Sequence, residues 1–545
     1  MFNLRRRLMM SGSGEYEQLV NYAFLYNESD ECSDLTWGWE TRAWSFDSST
    51  TPKAVTLTKN KKYMSGSIAG SSAYVSGVIQ AGMEIDLYEY DNMYVDFSAT
   101  GGTETKGYDY LDIYVGDRES SYYYSPEKFI GRLLDLRWNA SQSNTVSRRT
   151  LKGDISQFNS WHDIYIGFYA YQATISANIY NIYLTKPDDW KKLCNLAGVT
   201  PPSTLNELIS DTTALNTIFN NERAVNFMLL QCTGDFMVSV LSNEIAVNRL
   251  KDSPYLNEIV ANIHWAKFMM IIPTAKSIFN FTMLYDGSLG ESGLSGANTC
   301  SDVTGGFVKN TISSDSTSNY NCDFNQDNIY LRSYKSHRQS TRSNNLINLE
   351  GYTRLFAIFD YTNSSNDMTY LRLGLHTNKT VGASNHVNNP DIPSIVYGAK
   401  ASSNDGVVSG ENVKIFDITD DGTSMYFGIA VTSGSSMTTK ANVYGVALVK
   451  ADDFQTLCNK AGITAPSDIA TLVADSYAMQ AIMSNEEAVK YLMGCTGDLM
   501  VAICNSGTAM NILANSIAFD YTVSQPVWYK FMKMCPTSAE FIDNV

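Results

Sequence analysis

A chain of 545 residues with 40 Lys and Arg against 56 Asp and Glu carries a formal net charge of −16. That balance excludes nucleic acid as a partner, because holding a phosphate backbone takes clustered basic side chains, and it disfavours anionic membrane surfaces. The length allows about four domains, each able to bury a core without cross-links, and nine cysteines, an odd number, argue for buried thiols over a disulfide framework.

Residues 1–14 form an N-terminal segment whose apolar part is only Leu8-Met9-Met10. That is too short for an export signal, and no later stretch has the length of a membrane-spanning helix, so synthesis in a cytoplasm without export or membrane contact is expected. Arg5, Arg6 and Arg7 are the basic run of the chain. They are a candidate peg into another protein, with a loose tail as the other reading.

Residues 15–186 read as β. "GMEIDLYEYDNMYVDF", "YLDIYVGD" and "HDIYIGFYAYQATISANIYNIYLTK" alternate aromatic or β-branched residues with polar ones, and Gly, Asn, Asp and Ser punctuate them. Many short strands of this kind predict an antiparallel β-sandwich. Residues 187–273 read as a small helical bundle. Asp188 is placed as an N-cap, Gly198 as a helix stop, and Leu205, Leu208 and Ile209 as the stripe of a one-sided helix.

Then the chain repeats itself. Residues 274–450 give a second sandwich and 451–545 a second helical module, with Asp452 and Gly462 matching Asp188 and Gly198. "KPDDWKKLCNLAGVTPPS" returns as "KADDFQTLCNKAGITAPS", and Cys232-Thr233-Gly234-Asp235 as Cys495-Thr496-Gly497-Asp498. Cys32-Ser33-Asp34-Leu35-Thr36 returns as Cys300-Ser301-Asp302-Val303-Thr304. The expected architecture is multidomain β plus α, in two tandem units, each a sandwich followed by a bundle.

Two resemblances bear on function. "DSYAMQAIMSNEEAVKYLM" (475–493), with its partner "DTTALNTIFNNERAVNFML", resembles short helical repeats in structural proteins of tailed bacteriophages. The opening "MFNLRRRLMMSG" and the run "LYNESDECSDLTWGW" are similar to phage appendage proteins of gut anaerobes. This resemblance implies a tail-fibre, baseplate or head-fibre component of a virion, a homo-oligomer bound to other virion proteins, and supplies neither catalytic residues nor a cofactor. Separately, Glu84-Ile85-Asp86-Leu87-Tyr88-Glu89 resembles the catalytic strand of laminarinase-type β-glucanases. There Glu84 would be the nucleophile and Glu89 the acid/base, with Asp86 between them, and Glu89 joins their face only if a bulge adds a residue. Three acidic residues on the surface of an acidic protein are the simpler account.

Tyr122, Tyr123 and Tyr124 follow a Gly/Ser-rich turn and form a candidate ligand-binding loop, since such rings give rigid contact area; a strand end is the competing reading. Trp37 and Trp39, at one-residue spacing, are expected to point to one face and pack in the core. No metal or cofactor motif stands out. The expected function is a non-enzymatic virion protein contributing to attachment to host-surface glycans. A purely architectural virion protein and a glycan-degrading enzyme using Glu84 and Glu89 stay open.

Overall fold

Residues alternating between apolar and polar give a strand one face to bury, and two sheets that do so close on each other. The computed structural model describes residues 19–27, 33–43, 51–59, 63–70, 74–101, 110–116, 129–135, 145–158, 160–171, 174–286, 300–312, 321–324, 329–334, 338–363, 370–376, 395–398, 410–418, 424–432 and 438–542. The chain divides into two compact units, Met10–Val240 and Leu241–Val545.

Among the described residues the first unit opens with strands β1 (Tyr22–Tyr26), β2 (Trp39–Arg42), β3 (Thr51–Pro52), β4 (Thr56–Lys59), β5 (Met64–Ala69), β6 (Tyr74–Ala81), β7 (Ile85–Asp86), β8 (Asn92–Thr100), β9 (Tyr110–Gly116), β10 (Phe129–Asp135), β11 (Thr145–Asp154), β12 (Trp161–Tyr171) and β13 (Thr174–Thr185). One sheet has the order β11-β8-β13-β5-β4, with β1 on β13; the other is β10-β9-β12-β6-β2, with β7 on β12 and β3 on β6. Val95, Phe97, Ile175 and Ile179 of the first sheet share a core with Ile113, Ile164, Ile166 and Phe168 of the second. Helices Trp190–Ala197, Leu205–Ser210, Thr212–Phe219, Glu222–Gln231 and Asp235–Leu241 follow. Their starts are chemically marked: Thr204 and Glu207 form a capping box, and Asp211 and Asn221 accept from the first free N–H groups.

The second unit begins with helices Glu244–Lys251, Leu256–Ala261 and Ile263–Ile271. They belong here because their partners come late in the chain. Gly494 lies so close to Asn257 that a Cβ would sit 2.5 Å from the Asn257 carbonyl oxygen, and Gln525 Nε2 donates to the Val260 carbonyl at 3.0 Å. A second sandwich follows, from β14 (Phe281–Tyr285) and β15 (Phe307–Ile312) through β16 (Asn321–Phe324), β17 (Ile329–Tyr334), β18 (Arg338–Ser343), β19 (Ile347–Asn348), β20 (Arg354–Asn363), β21 (Tyr370–His376), β22 (Ile395–Gly398), β23 (Gly410–Asp417), β24 (Ser424–Thr432) and β25 (Thr438–Val449). Its sheets are β16-β17-β25-β20-β23, with β14 on β25, and β15-β18-β24-β21-β22, with β19 on β24. Helices from Phe454 to Ile542 close the chain.

A buried carboxylate ties each sandwich to the helices after it. Asp188 is not the N-cap expected of it; Asp189 caps the helix through Lys192 N, and Asp188 turns inward. It accepts from Asn21 Nδ2 at 2.7 Å, Gly234 N at 3.0 Å and Phe236 N at 2.8 Å. Asp452 does the same with Asn280 Nδ2 at 2.9 Å, Gly497 N at 2.8 Å and Leu499 N at 3.1 Å, while Asp453 caps. The first strand, the end of the last strand and the Thr-Gly-Asp turn therefore meet on one side chain. Glycine is required in that turn, because a Cβ on Gly234 or Gly497 would overlap the Lys186 or Lys450 carbonyl. Cys194, Cys232, Cys300, Cys458, Cys495, Cys504 and Cys535 are buried free thiols.

Candidate functional site: an aromatic rim on the first sandwich

Antiparallel pairing fixes which chain segments share an end of a sheet. Trp39 at the start of β2 lies opposite Ala81 at the end of β6, and the start of β12 continues beside β7, where Trp161 lies opposite Asp86. The segment from Gly82 to Glu89 thus crosses one end of the seven-stranded sheet. On one side it meets the turn before β2: Gly82 N donates to the Gly38 carbonyl at 2.9 Å and Met83 N to the Thr36 carbonyl at 3.1 Å. On the other it meets the start of β12, with Leu87 N donating to the Ser160 carbonyl at 3.2 Å.

Three large aromatic side chains are exposed along this end: Trp37 at 78%, Tyr88 at 61% and Trp161 at 55%. The expectation that Trp37 and Trp39 pack together fails for Trp37. Trp39 is in the core at 4% exposure, with Nε1 donating to the Leu25 carbonyl at 3.1 Å. Trp37 has φ +52° and Gly38 φ +80°, so two successive left-handed residues reverse the chain and break the period-two alternation on which the expectation rested. Positive φ is rare for a bulky residue, because its Cβ crowds the backbone.

Tyr88 is held by a turn in which its N–H donates to Asp86 Oδ1 at 3.0 Å. Glu89 closes that turn with φ +71°, and its Oε2 accepts from Lys186 Nζ at 2.7 Å. The Lys186 ammonium sits 5.2 Å from the Tyr90 ring centroid, and the bond to Glu89 holds its pKa above the usual lysine value. Glu84 is half-buried just before β7. Strand β7 is only two residues long, so Glu84, Asp86 and Glu89 do not share a continuous strand face; Asp86 organises a turn and Glu89 is engaged by a cation.

The second sandwich has the same backbone frame without the rings. Gly306 N donates to Thr304 Oγ1 at 3.2 Å as Gly38 N does to Thr36 Oγ1 at 3.1 Å, and Asn345 N reaches the Thr304 carbonyl at 2.8 Å. Gly305, φ +64°, stands where Trp37 is. Glu350 N donates to Asn348 Oδ1 at 3.0 Å, so Glu350 matches Tyr88 and Gly351, φ +75°, matches Glu89. Ser424 pairs with Asn348 as Trp161 pairs with Asp86. Sequence reasoning missed this rim, although the alignment of Trp37-Gly38 with Gly305-Gly306 held the signal: a glycine pair at matching positions flags a left-handed turn.

Tyr122, Tyr123 and Tyr124 lie outside the described residues, as do Arg5, Arg6 and Arg7. Strand β9 ends at Gly116, opposite Asp163. Among the described residues, no cluster of three or more His, Cys, Asp or Glu side chains is arranged to hold a metal ion, and no single helix is long and apolar enough to cross a membrane.

No protein-family model and no curated protein matches the chain. Among solved structures, the K3 cleaved adhesin domain of Lys-gingipain from Porphyromonas gingivalis is similar at 10% identity and TM-score 0.21, covering 30% of this chain and 100% of that one. Tandem family 51 carbohydrate-binding modules of a family 98 glycoside hydrolase from Streptococcus pneumoniae align at 8% identity and TM-score 0.17, covering 79% of this chain and 100% of that one. A family 11 carbohydrate-binding module from Clostridium thermocellum, in complex with a mixed-linked tetrasaccharide, aligns at 12% identity and TM-score 0.19, over 31% of this chain and 97% of that one. Likenesses of this size decide nothing about function.

Proposed function

We propose that this chain is a non-catalytic attachment protein that engages surface glycans through the rim of Trp37, Tyr88 and Trp161. The observation that carries the reading is Trp37: a tryptophan 78% exposed, at φ +52°, where the matching position of the other sandwich holds glycine. Left-handed backbone costs a bulky residue on the order of 1–3 kcal/mol, and exposure returns none of it through packing. A ring kept under those terms is explained by a ligand. Indole and phenol faces present flat apolar area beside polar edges, which suits the C–H faces and hydroxyls of a sugar ring. The carboxylates of Glu84 and Asp86 on the same segment are ready acceptors for sugar hydroxyls.

The setting we infer is the appendage of a tailed phage particle, as a homo-oligomer in two tandem sandwich-and-bundle units. The phage-like helical repeat at 475–493 and the repeated Asp188 and Asp452 joints support it. The test is binding of the labelled, intact protein to candidate host cells before and after periodate oxidation of their glycans, with Trp37→Ala alongside. Binding lost after periodate and weakened in Trp37→Ala supports the reading; absence of binding to every host leaves an architectural virion role. A glycan-degrading role would require reducing ends released from host polysaccharide and lost in Glu84→Gln.

A further inference from the structure

We infer that the rim is selective for uncharged oligosaccharide and that each chain carries one such site, on the first sandwich; the inference rests on the functional reading above. Both parts follow from comparing the two sandwiches position by position. The second keeps the hydrogen-bonded frame, so its lack of rings is not a difference of fold. Each aromatic is replaced: Trp37 by Gly305, Tyr88 by Glu350 and Trp161 by Ser424. The place of the Trp37 side chain is also filled, since a Cβ on Gly305 would lie 2.5 Å from Asn345 Oδ1. At the matching positions the second sandwich therefore presents small, polar and acidic residues.

Ligand class follows from charge and span. The rings are joined by a segment bearing Glu84 and Asp86, and the neighbouring Lys186 ammonium is already bonded to Glu89. Among the described residues Lys59 also approaches the Gly38 turn, where a Cβ on Gly38 would lie 3.4 Å from its Nζ, in a chain whose net charge is −16. A uronate, sialate or sulfated glycan would meet carboxylates at the centre of the site, whereas neutral hydroxyls donate to them. Trp37 is anchored beside Met83 and Trp161 opposite Asp86, three residues on, which is at most about 10 Å of chain. That span suits at least a disaccharide lying across the rim.

The experiment is a mixed array of neutral and acidic glycans probed with the intact protein, then calorimetric titration of the tightest glycan into wild type, Trp37→Gly and Trp161→Ser. The expected result is neutral oligosaccharides bound at one per chain. Each variant should weaken binding, roughly two- to tenfold per ring removed, while far-ultraviolet circular dichroism stays unchanged. Acidic glycans as the tightest ligands, or two equivalents bound per chain, would overturn the inference and leave attachment through the rim standing, whereas binding unaltered in both variants would overturn the rim as well. A protein that binds no glycan on array or cells overturns both.

Discussion

Trp37 and Trp39 are two residues apart and under opposite demands. Trp39 fills the core and bonds to the Leu25 carbonyl, so Trp39→Ala should cost about 3–5 kcal/mol, read from chemical denaturation. Trp37 contributes little burial and holds a backbone conformation that glycine adopts without strain. Trp37→Gly should leave stability unchanged or raise it by about 1 kcal/mol, since relief of strain is offset by glycine's greater unfolded-state freedom. A drop of several kcal/mol in Trp37→Gly would show that the indole is structural and remove the main argument for a ligand. Stability gained where binding is lost is the expected signature of a residue kept for function. In the sequence, the pair reads as one core stripe because period-two spacing says nothing about φ. The carboxylates Glu84, Asp86 and Glu89 were legible as an acidic motif, but their turn was not. A two-residue strand ending in an Asx turn looks from sequence like the continuation of an alternating run.

Helices and strands here are joined through buried acids, and that gives each joint a pH dependence. Burial pushes the Asp188 carboxyl up to about 7 and that of Asp452 up to about 6, against the N–H donors that favour the anion. Asp235, which accepts from Thr185 Oγ1 and from Asn92 Nδ2 at 2.6 Å, is likewise raised by burial to about 6. A carboxyl with a folded pKa above its unfolded value of 3.8 binds its proton more tightly when folded. Its contribution to stability therefore falls as pH rises from about 4 to the folded value, and is level above it. Carboxylates pulled down by hydrogen bonds, such as Asp453 and Asp468, work the other way only below their ordinary value of 3.8. Between pH 7 and 5 the raised carboxyls Asp188 and Asp235 set the slope in the first unit. In the second, His264, pushed down to about 4 by burial, opposes Asp452, because its protonation in that window favours the unfolded chain. The melting temperature of the first unit should rise on acidification across that window, and Asp188→Asn should flatten the rise. A melting temperature that falls from pH 7 to 5 would contradict it. The repeat made these acids visible as a recurring Lys-x-Asp-Asp, yet which aspartate caps and which turns inward depended on a turn more than forty residues later.

Across the whole chain, the two repeats visible in the sequence and the two units formed by packing divide the residues differently. Similarity places the first helical module before the second sandwich, whereas contacts group Leu241 onward with everything that follows. The sequence carries no local mark of this, because the partners of Asn257 and Val260 are Gly494 and Gln525, far along the chain. Each unit holds its own sandwich core and its own buried acid joint. Units that bury separate cores unfold as separate cooperative transitions, and substitutions in one leave the other's transition in place. Calorimetry of the intact protein should therefore resolve two transitions. Asp188→Ala strips the acceptor from two buried backbone N–H donors and the part-buried Asn21 amide, worth on the order of 3 kcal/mol, and should lower one transition alone. Asp452→Ala should lower the other alone, by a similar amount, because its donors match one for one. A single transition lowered by both substitutions would mean that the chain folds as one cooperative body, and that the joint at Asp188 supports more than the sandwich it closes.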